Sequence, residues 1–202
     1  MKRTNYLRQI KERIASSEKC SIFIPSDFLD ITDAVKVNMS LSRLEKASFI
    51  RRIMRGIYEY PEYNEFLKEY VAPDPDKVAH ALARNYGWSI APCGDTALNM
   101  LGLSTQIPSV WSYVSDGTYK EYQYDEVTIK FKHRTNREIS GLSPKTALII
   151  QALKTLGQKH TDNDTIKKLS DILSDIEKKN MLKESQQATA WIYEVIKQIC
   201  RK

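Results

Sequence analysis

Apolar residues in the first sixty positions recur at helical spacing and then change to strand-like alternation. A first helix is predicted over residues 4–16 from apolar side chains that share one face, namely Tyr6, Leu7, Ile10 and Ile14. A short apolar stretch over residues 21–24 predicts a small strand, and Pro25 opens a second, short helix. Thr32 is the predicted N-cap of a third helix, whose apolar face holds Ala34, Val37, Leu41 and Leu44.

Two alternating stretches follow the third helix and predict a β-hairpin. They cover residues 49–53 and 56–60, and Gly56 beside the turn tolerates positive φ. Three helices followed by a hairpin are typical of a winged helix-turn-helix. The sequence therefore predicts such a domain over residues 1–60, followed by a linker rich in Glu, Tyr and Asn over residues 61–73.

Beyond the linker, the pattern is first mixed and then helical. One helix is predicted from Asp74, its N-cap, to Gly87, and a short one over residues 94–101. Three strand-like runs cover residues 110–115, 119–124 and 127–132, and Asp116-Gly117 predicts a hairpin turn between the first two. Amphipathic helices fill the rest, the last over residues 183–199. The predicted fold class is α+β, with a mixed domain over residues 74–202 that contains a small antiparallel sheet and a helical part from residue 141.

Positive charge is concentrated in the predicted winged helix. The net charge is +6, and residues 1–60 hold twelve Lys and Arg against seven Asp and Glu. A local cationic excess is typical of a surface that binds a polyanion. The candidate DNA-contacting side chains, on the third helix and around the hairpin turn, are Lys36, Ser40, Arg43, Lys46, Arg51, Arg52 and Arg55. The other interpretation is that they are solvated charges on a winged helix that contacts protein.

Several classes of protein are excluded by composition. No apolar run approaches the ~18 residues of a membrane span, and no apolar signal-peptide stretch follows the basic N-terminus. We therefore expect a cytoplasmic protein that does not enter a membrane. The cysteines form no CxxC pair and predict free, reduced thiols; they are Cys20, Cys93 and Cys200.

Candidate catalytic chemistry is sparse. The histidines stand in different segments, without the spacing of a helical metal pair; they are His80, His133 and His160. The sequence contains no nucleophile elbow and no phosphate-binding loop. We expect no catalytic residues, no metal site and no cofactor.

One constellation keeps an enzyme open as an alternative. Asp116, Glu126 and Lys130 lie on or beside consecutive predicted strands, as the carboxylates and lysine of Mg²⁺-dependent nucleases do. Such sites usually place a carboxylate two positions before the lysine, where this chain has Thr128. Asp116 is also explained as a turn residue before glycine.

The segment over residues 99–108, Asn-Met-Leu-Gly-Leu-Ser-Thr-Gln-Ile-Pro, with Ser-Asp-Gly at 115–117, resembles the middle of AbiEi-family antitoxins. The order of parts is similar too, because that family has an N-terminal winged helix-turn-helix before its antitoxin domain. Arg-Gly-Ile-Tyr at residues 55–58 resembles the basic residue, glycine and aromatic residue with which the family's wing ends.

This resemblance implies an antitoxin of a type IV toxin–antitoxin, or abortive-infection, system. The protein would bind inverted repeats in its own promoter DNA as an autorepressor. It would also counteract, directly or functionally, a cognate toxin of the nucleotidyltransferase type, through its C-terminal domain. A plain winged-helix transcriptional regulator with a ligand-sensing or dimerising C-terminal domain remains the other non-enzymatic function.

Overall fold

A computed structural model describes residues 5–134, 139 and 141–201. The chain divides into two compact units, Met1–Gly87 and Trp88–Lys202. The division therefore falls after Gly87, not after the predicted first domain at residue 60. Residues 1–4, with which the predicted first domain begins, lie outside the described part of the chain.

The first unit combines helices with a small antiparallel sheet. Its described helices are α1 (Tyr6–Ala15), a 3₁₀ helix (Pro25–Phe28), α2 (Ala34–Lys46) and α3 (Pro75–Tyr86). Its sheet has the order β1 (Ile22–Phe23), β3 (Ile57–Glu59), β2 (Arg51–Met54). The predicted linker holds a small hairpin made of β4 (Tyr63–Asn64) and β5 (Glu69–Tyr70).

Local signals account for where these helices begin and end. The Asp33 carboxylate accepts the Lys36 amide proton and caps α2, one residue after the predicted cap at Thr32. Helix α3 begins with Pro75 after its cap Asp74 and ends at Gly87 with φ +68°, as predicted. One buried apolar cluster of the unit contains Ile10, Ile14, Phe23, Phe28, Val37, Leu41, Leu44, Ile50 and Tyr58.

Helix α3 was predicted in the second domain but packs in the first unit. It contacts strands β1 and β3. Arg84 donates hydrogen bonds to the Ile22 carbonyl and to the Asp27 carboxylate, both at 3.3 Å. The boundary was misplaced because sequence periodicity shows which face of a helix is apolar, not which core receives it.

The sheet of the second unit is mixed, so the predicted antiparallel sheet is wrong. Its strands are β6 (Ile90–Pro92), β7 (Val110–Ser115), β8 (Lys120–Tyr124) and β9 (Val127–His133), in the order β6-β7-β9-β8. Strand β7 runs parallel to β9, while β6 and β8 pair antiparallel to their neighbours. Strand β9 thus lies between the two strands that the predicted hairpin would have joined.

The hairpin turn predicted at Asp116-Gly117 does not form, because Asp116 is hydrogen-bonded to Ser89. The Asp116 carboxylate accepts the Ser89 amide proton at 2.9 Å, and the Asp116 amide donates to the Ser89 carbonyl. These bonds extend the pairing of β6 with β7 beyond Ser115. The hairpin forms instead between β8 and β9, where Asp125 adopts φ +46°.

The remaining helices are α4 (Asp95–Met100), α5 (Pro144–Leu156), α6 (Asn163–Asp171), α7 (Asp175–Glu184) and α8 (Ala190–Arg201). Helices α5 to α8 pack around one apolar cluster, whereas α4 contacts α5 and strand β7. The cluster includes Leu153, Leu169, Met181 and Ile196. The predicted last helix over residues 183–199 is divided, because a 3₁₀ turn at Ser185–Gln187 separates α7 from α8. Among the described residues, no helix is both long and apolar enough to cross a bilayer.

Candidate nucleic-acid interface

Helix α2 presents a cationic side to solvent and buries its apolar side. Val37, Leu41 and Leu44 are buried, as the pattern predicted. Arg43 and Lys46 are exposed at its C-terminal end. Because the apolar side is fixed in the core, these two cations are held outward by the helix itself.

Ser40 does not lie on the outward side of α2, where the prediction of a DNA contact placed it. It is 6% exposed, and its hydroxyl donates to the Lys36 carbonyl at 2.8 Å. A serine inside a helix can satisfy its hydroxyl on the preceding turn and needs no contact with water.

Lys36 is exposed but shares its charge with an acidic neighbour. Its Nζ lies 2.7 Å from Asp33 Oδ2 and 5.3 Å from the centre of the Tyr6 ring. The hydrogen bond between the two side chains raises the pKa of Lys36 and lowers the pKa of Asp33. Lys36 therefore stays charged, but it contributes less positive potential than an isolated lysine.

Arg51 serves the fold of the first unit, which the sequence prediction did not foresee. Glu59 is 0% exposed, and its Oε2 accepts from Arg51 Nε at 2.9 Å and from Nη2 at 2.5 Å. Arg51 Nη2 also donates to the Val71 carbonyl at 3.1 Å, which ties the β4–β5 hairpin to the sheet. The strand pairing places Glu59 directly opposite Arg51, a contact that the residues of the turn alone do not reveal.

The other two arginines of the β2–β3 hairpin point to solvent. Arg52 lies on β2 and Arg55 in the turn, and both are exposed. Arg52 stands opposite Tyr58; burial raises the pKa of that tyrosine, and the charge of Arg52 partly opposes the shift. We call Arg43, Lys46, Arg52 and Arg55 the open cations, because none of them forms a salt bridge with any residue that the structure describes.

Two exposed apolar residues on α2 were not recognised as part of this surface. Val35 is 70% and Met39 52% exposed. Met39 borders a groove of about 180 Å³ that is also lined by Asn5, Tyr6, Leu7, Lys36, Ser40 and Arg43. Met39 lies one turn before Arg43 on the exposed side of the helix, but a single apolar residue there gave no reason to expect a role for it.

A larger cleft in the same unit has a different character. It measures about 470 Å³ and lies between α1, β1, the 3₁₀ helix and α3. Arg13 pairs with Asp30 at 2.6 Å, and Arg84 with Asp27 at 3.3 Å. Since these arginines are already paired with carboxylates, the cleft attracts a polyanion less strongly than the open cations do.

The structure does not bring the candidate nuclease residues together. Asp116 follows the last residue of β7, which pairs with the end of β9, whereas Glu126 precedes the first residue of β9. The length of β9 separates the two carboxylates by on the order of 20 Å. Lys130 is bound to Glu121 at 3.0 Å. These residues therefore cannot hold one metal ion in this arrangement.

The histidines have ordinary local partners. His133 Nδ1 lies 2.7 Å from the Gly117 carbonyl, and His160 Nδ1 lies 3.1 Å from the Leu156 carbonyl. His80 Nε2 lies 3.7 Å from Asp76 in the larger cleft. Within the described ranges, no three His, Cys, Asp or Glu side chains are grouped so that they could hold a metal ion.

The chain belongs to a family whose function is not known. It is a member of DUF6088, described as a family of unknown function, whose model matches residues 9–181. The chain is similar to the crystal structure of RV2827C protein from Mycobacterium tuberculosis, with a TM-score of 0.42 and 11% sequence identity. That similarity covers 97% of this chain and 76% of the other. No curated protein matches the chain.

Proposed function

We propose that this protein is an antitoxin that represses its own promoter through a winged helix-turn-helix in its first unit. The open cations on α2 and the β2–β3 hairpin are the observation that carries the DNA-binding part. The proposal includes a cognate toxin of the nucleotidyltransferase type, counteracted directly or functionally. Repression requires access to the promoter, so a cytoplasmic location belongs to the proposal.

The order of elements supports the winged-helix interpretation. Helix α1, strand β1, the 3₁₀ helix, helix α2 and strands β2 and β3 follow one another as a winged helix-turn-helix requires. In such a domain, the helix before the hairpin enters the major groove, and the hairpin contacts the adjacent backbone. The open cations lie on these two elements.

The electrostatics favour duplex DNA as the polyanion. Unpaired Lys and Arg gain most from phosphate contact, because each one neutralised releases counterions condensed on the duplex. Arg43 lies on the helix proposed to enter the groove, where arginine can also pair with guanine. Arg52 and Arg55 lie on the proposed wing, where phosphate contacts position the protein without reading sequence.

The antitoxin part of the proposal depends on the resemblance of residues 99–108. In the structure this segment closes a loop after α4, since Asn99 Nδ2 donates to the Gln106 carbonyl at 2.9 Å. Leu101 and Leu103 pack against the apolar cluster of the second unit. The segment thus positions the loop on the helices that would carry antitoxin activity.

Binding to the DNA upstream of its own gene tests the first part. We expect a specific complex in a gel-shift titration, with affinity that falls steeply as salt rises. Arg43→Ala should reduce the preference for this DNA over random sequence, and Arg52→Ala should weaken binding to both alike. Lys197→Ala is the matched control, because that cation is paired with Glu194 in α8. Equal affinity for both DNAs in the wild type would refute the repressor function.

Co-expression with the product of the neighbouring gene tests the second part. If that product arrests growth and this protein restores it, the antitoxin function is supported. Specific DNA binding without growth rescue would leave a plain winged-helix regulator as the function.

A further inference from the structure

In the N-terminal half of α2, the side of the helix that faces solvent carries apolar residues. Val35 and Met39 stand four residues apart, one turn of helix, and face away from the buried Val37, Leu41 and Leu44. On the face that meets solvent, an amphipathic helix normally carries polar or charged side chains. Two adjacent apolar side chains at the most outward positions therefore indicate a contact surface rather than a solvated one.

The charges around this pair define the partner. Arg43 and Lys46 continue the same side of the helix by two further turns, and Lys36 lies beside Met39. Asp33, the acid at the start of the helix, is engaged with Lys36 and with the helix N-terminus. The surface is thus a small apolar centre bordered by cations, which fits a polyanion that also offers apolar groups.

We infer that Val35 and Met39 read the C5-methyl groups of thymines in the major groove. This inference rests on the proposed function, because it places α2 in that groove. The N-terminal residues of a recognition helix are the ones that reach base edges. On those edges the thymine methyl is the group that an aliphatic side chain contacts favourably.

The geometry also sets the spacing of the thymines. Four residues of α-helix rise by about 6 Å, so the two side chains reach base pairs that are at most about two steps apart along the duplex. Each half-site should therefore contain two thymines, on either strand, within about two steps of each other. Neither buried Ser40 nor Asp33-bound Lys36 is positioned to supply this discrimination instead.

Replacing thymidine by deoxyuridine tests the inference, since it removes the methyl group and preserves base pairing. The probe is the upstream DNA segment that the full-length protein protects from nuclease digestion, synthesised with single substitutions. At each contacted thymine the Kd should rise about fourfold, the loss expected for one buried methyl group. Thymines elsewhere in the segment should show no change.

Variants assign the effect to the two side chains. Met39→Ala and Val35→Ala should each weaken binding to the natural segment about fourfold and make its partner thymine equivalent to uracil. The slope of affinity against salt should stay unchanged, because no charge is altered. Ile176→Ala on α7 is the matched control, an equally exposed aliphatic residue that should change neither measurement.

The outcomes separate this inference from the function beneath it. Specific binding that is indifferent to uracil at every position would overturn the methyl contacts and leave the repressor intact. If replacing thymidine by deoxyuridine still weakened binding in both variants, other residues would be shown to contact the methyl groups. Absence of any specific complex would overturn the repressor function and the inference together.

Discussion

The β2–β3 and β8–β9 hairpins carry the same kind of ion pair in different surroundings. Arg51 stands directly opposite Glu59 in the first, and Lys130 directly opposite Glu121 in the second. Glu59 is 0% exposed, whereas the Glu121 side chain is 39% exposed. The first turn carries Arg55, while the second is formed by Asp125 and Glu126.

This difference separates the charges that build the fold from those that are available to a partner. Burial makes the Glu59–Arg51 pair part of the first unit's structure, since an unpaired carboxylate there would be costly. The Lys130–Glu121 pair contributes less, because the Glu121 carboxylate is partly exposed and water can solvate it when the pair is broken. The charged side chains at the two turns lie outside these ion pairs and have opposite signs. The cationic turn, which carries Arg55, belongs to the proposed wing.

The largest effect is expected from breaking the buried pair. Glu59→Ala should lower the free energy of unfolding of the first unit by about 2–3 kcal/mol, because it leaves Arg51 half-buried without its carboxylate. Hydrogen exchange of the β3 amides measures this. Glu121→Ala, the matched change in the other hairpin, should cost less than about 1 kcal/mol. Equal losses in both hairpins would contradict the distinction between them.

A smaller effect is expected from the turns. Gly56 adopts φ +78° with no atom near its missing Cβ, so Gly56→Ala should destabilise the first unit by about 1–2 kcal/mol through backbone strain alone. Asp125→Gly at φ +46° should be neutral or slightly stabilising, because glycine relieves the strain that aspartate only tolerates. Chemical denaturation monitored by circular dichroism measures both. A harmless alanine at Gly56 would show that the turn relaxes.

The smallest effect is the pH dependence that the ion pair of the second hairpin contributes. The hydrogen bond to Glu121 raises the pKa of Lys130, so this bond stabilises the folded state below the ordinary lysine pKa of about 10.4. That contribution should be lost as the pH rises through the higher folded pKa. Trp88 and Trp111 lie in this unit and report its unfolding by fluorescence. Lys130→Gln should lose less stability than the wild type above about pH 10, and a parallel decline in the two proteins would count against the pair.

Sequence patterns located the elements better than their partners. Asp74, Pro75 and Gly87 gave the bounds of α3 because caps act within one turn of helix. The runs for β7, β8 and β9 were nearly right for the same local reason. Their pairing was not, because strand order depends on contacts between residues far apart in the chain, which the Asp116-Gly117 signal does not contain.

The candidate surface shows the same limit at the level of single side chains. Charge and helical spacing placed Arg43 and Lys46 at the surface, and charge with the predicted hairpin placed Arg52 and Arg55 there. Ser40 was misplaced because a hydroxyl is compatible with either side of a helix. Arg51 required knowledge of the strand register that sets Glu59 against it, which alternation alone does not give.

Because β7 pairs with β9, which follows it in the chain, β7 must wait for its partner strand during synthesis. Eighteen positions separate Ser115 from its partner His133, so on the ribosome β7 emerges roughly one to four seconds before its neighbour is complete. During that interval one edge of β7 lacks its strand and could pair with another nascent chain. The first unit, by contrast, is fully synthesised before β7 begins, so it can fold while the edge is still open.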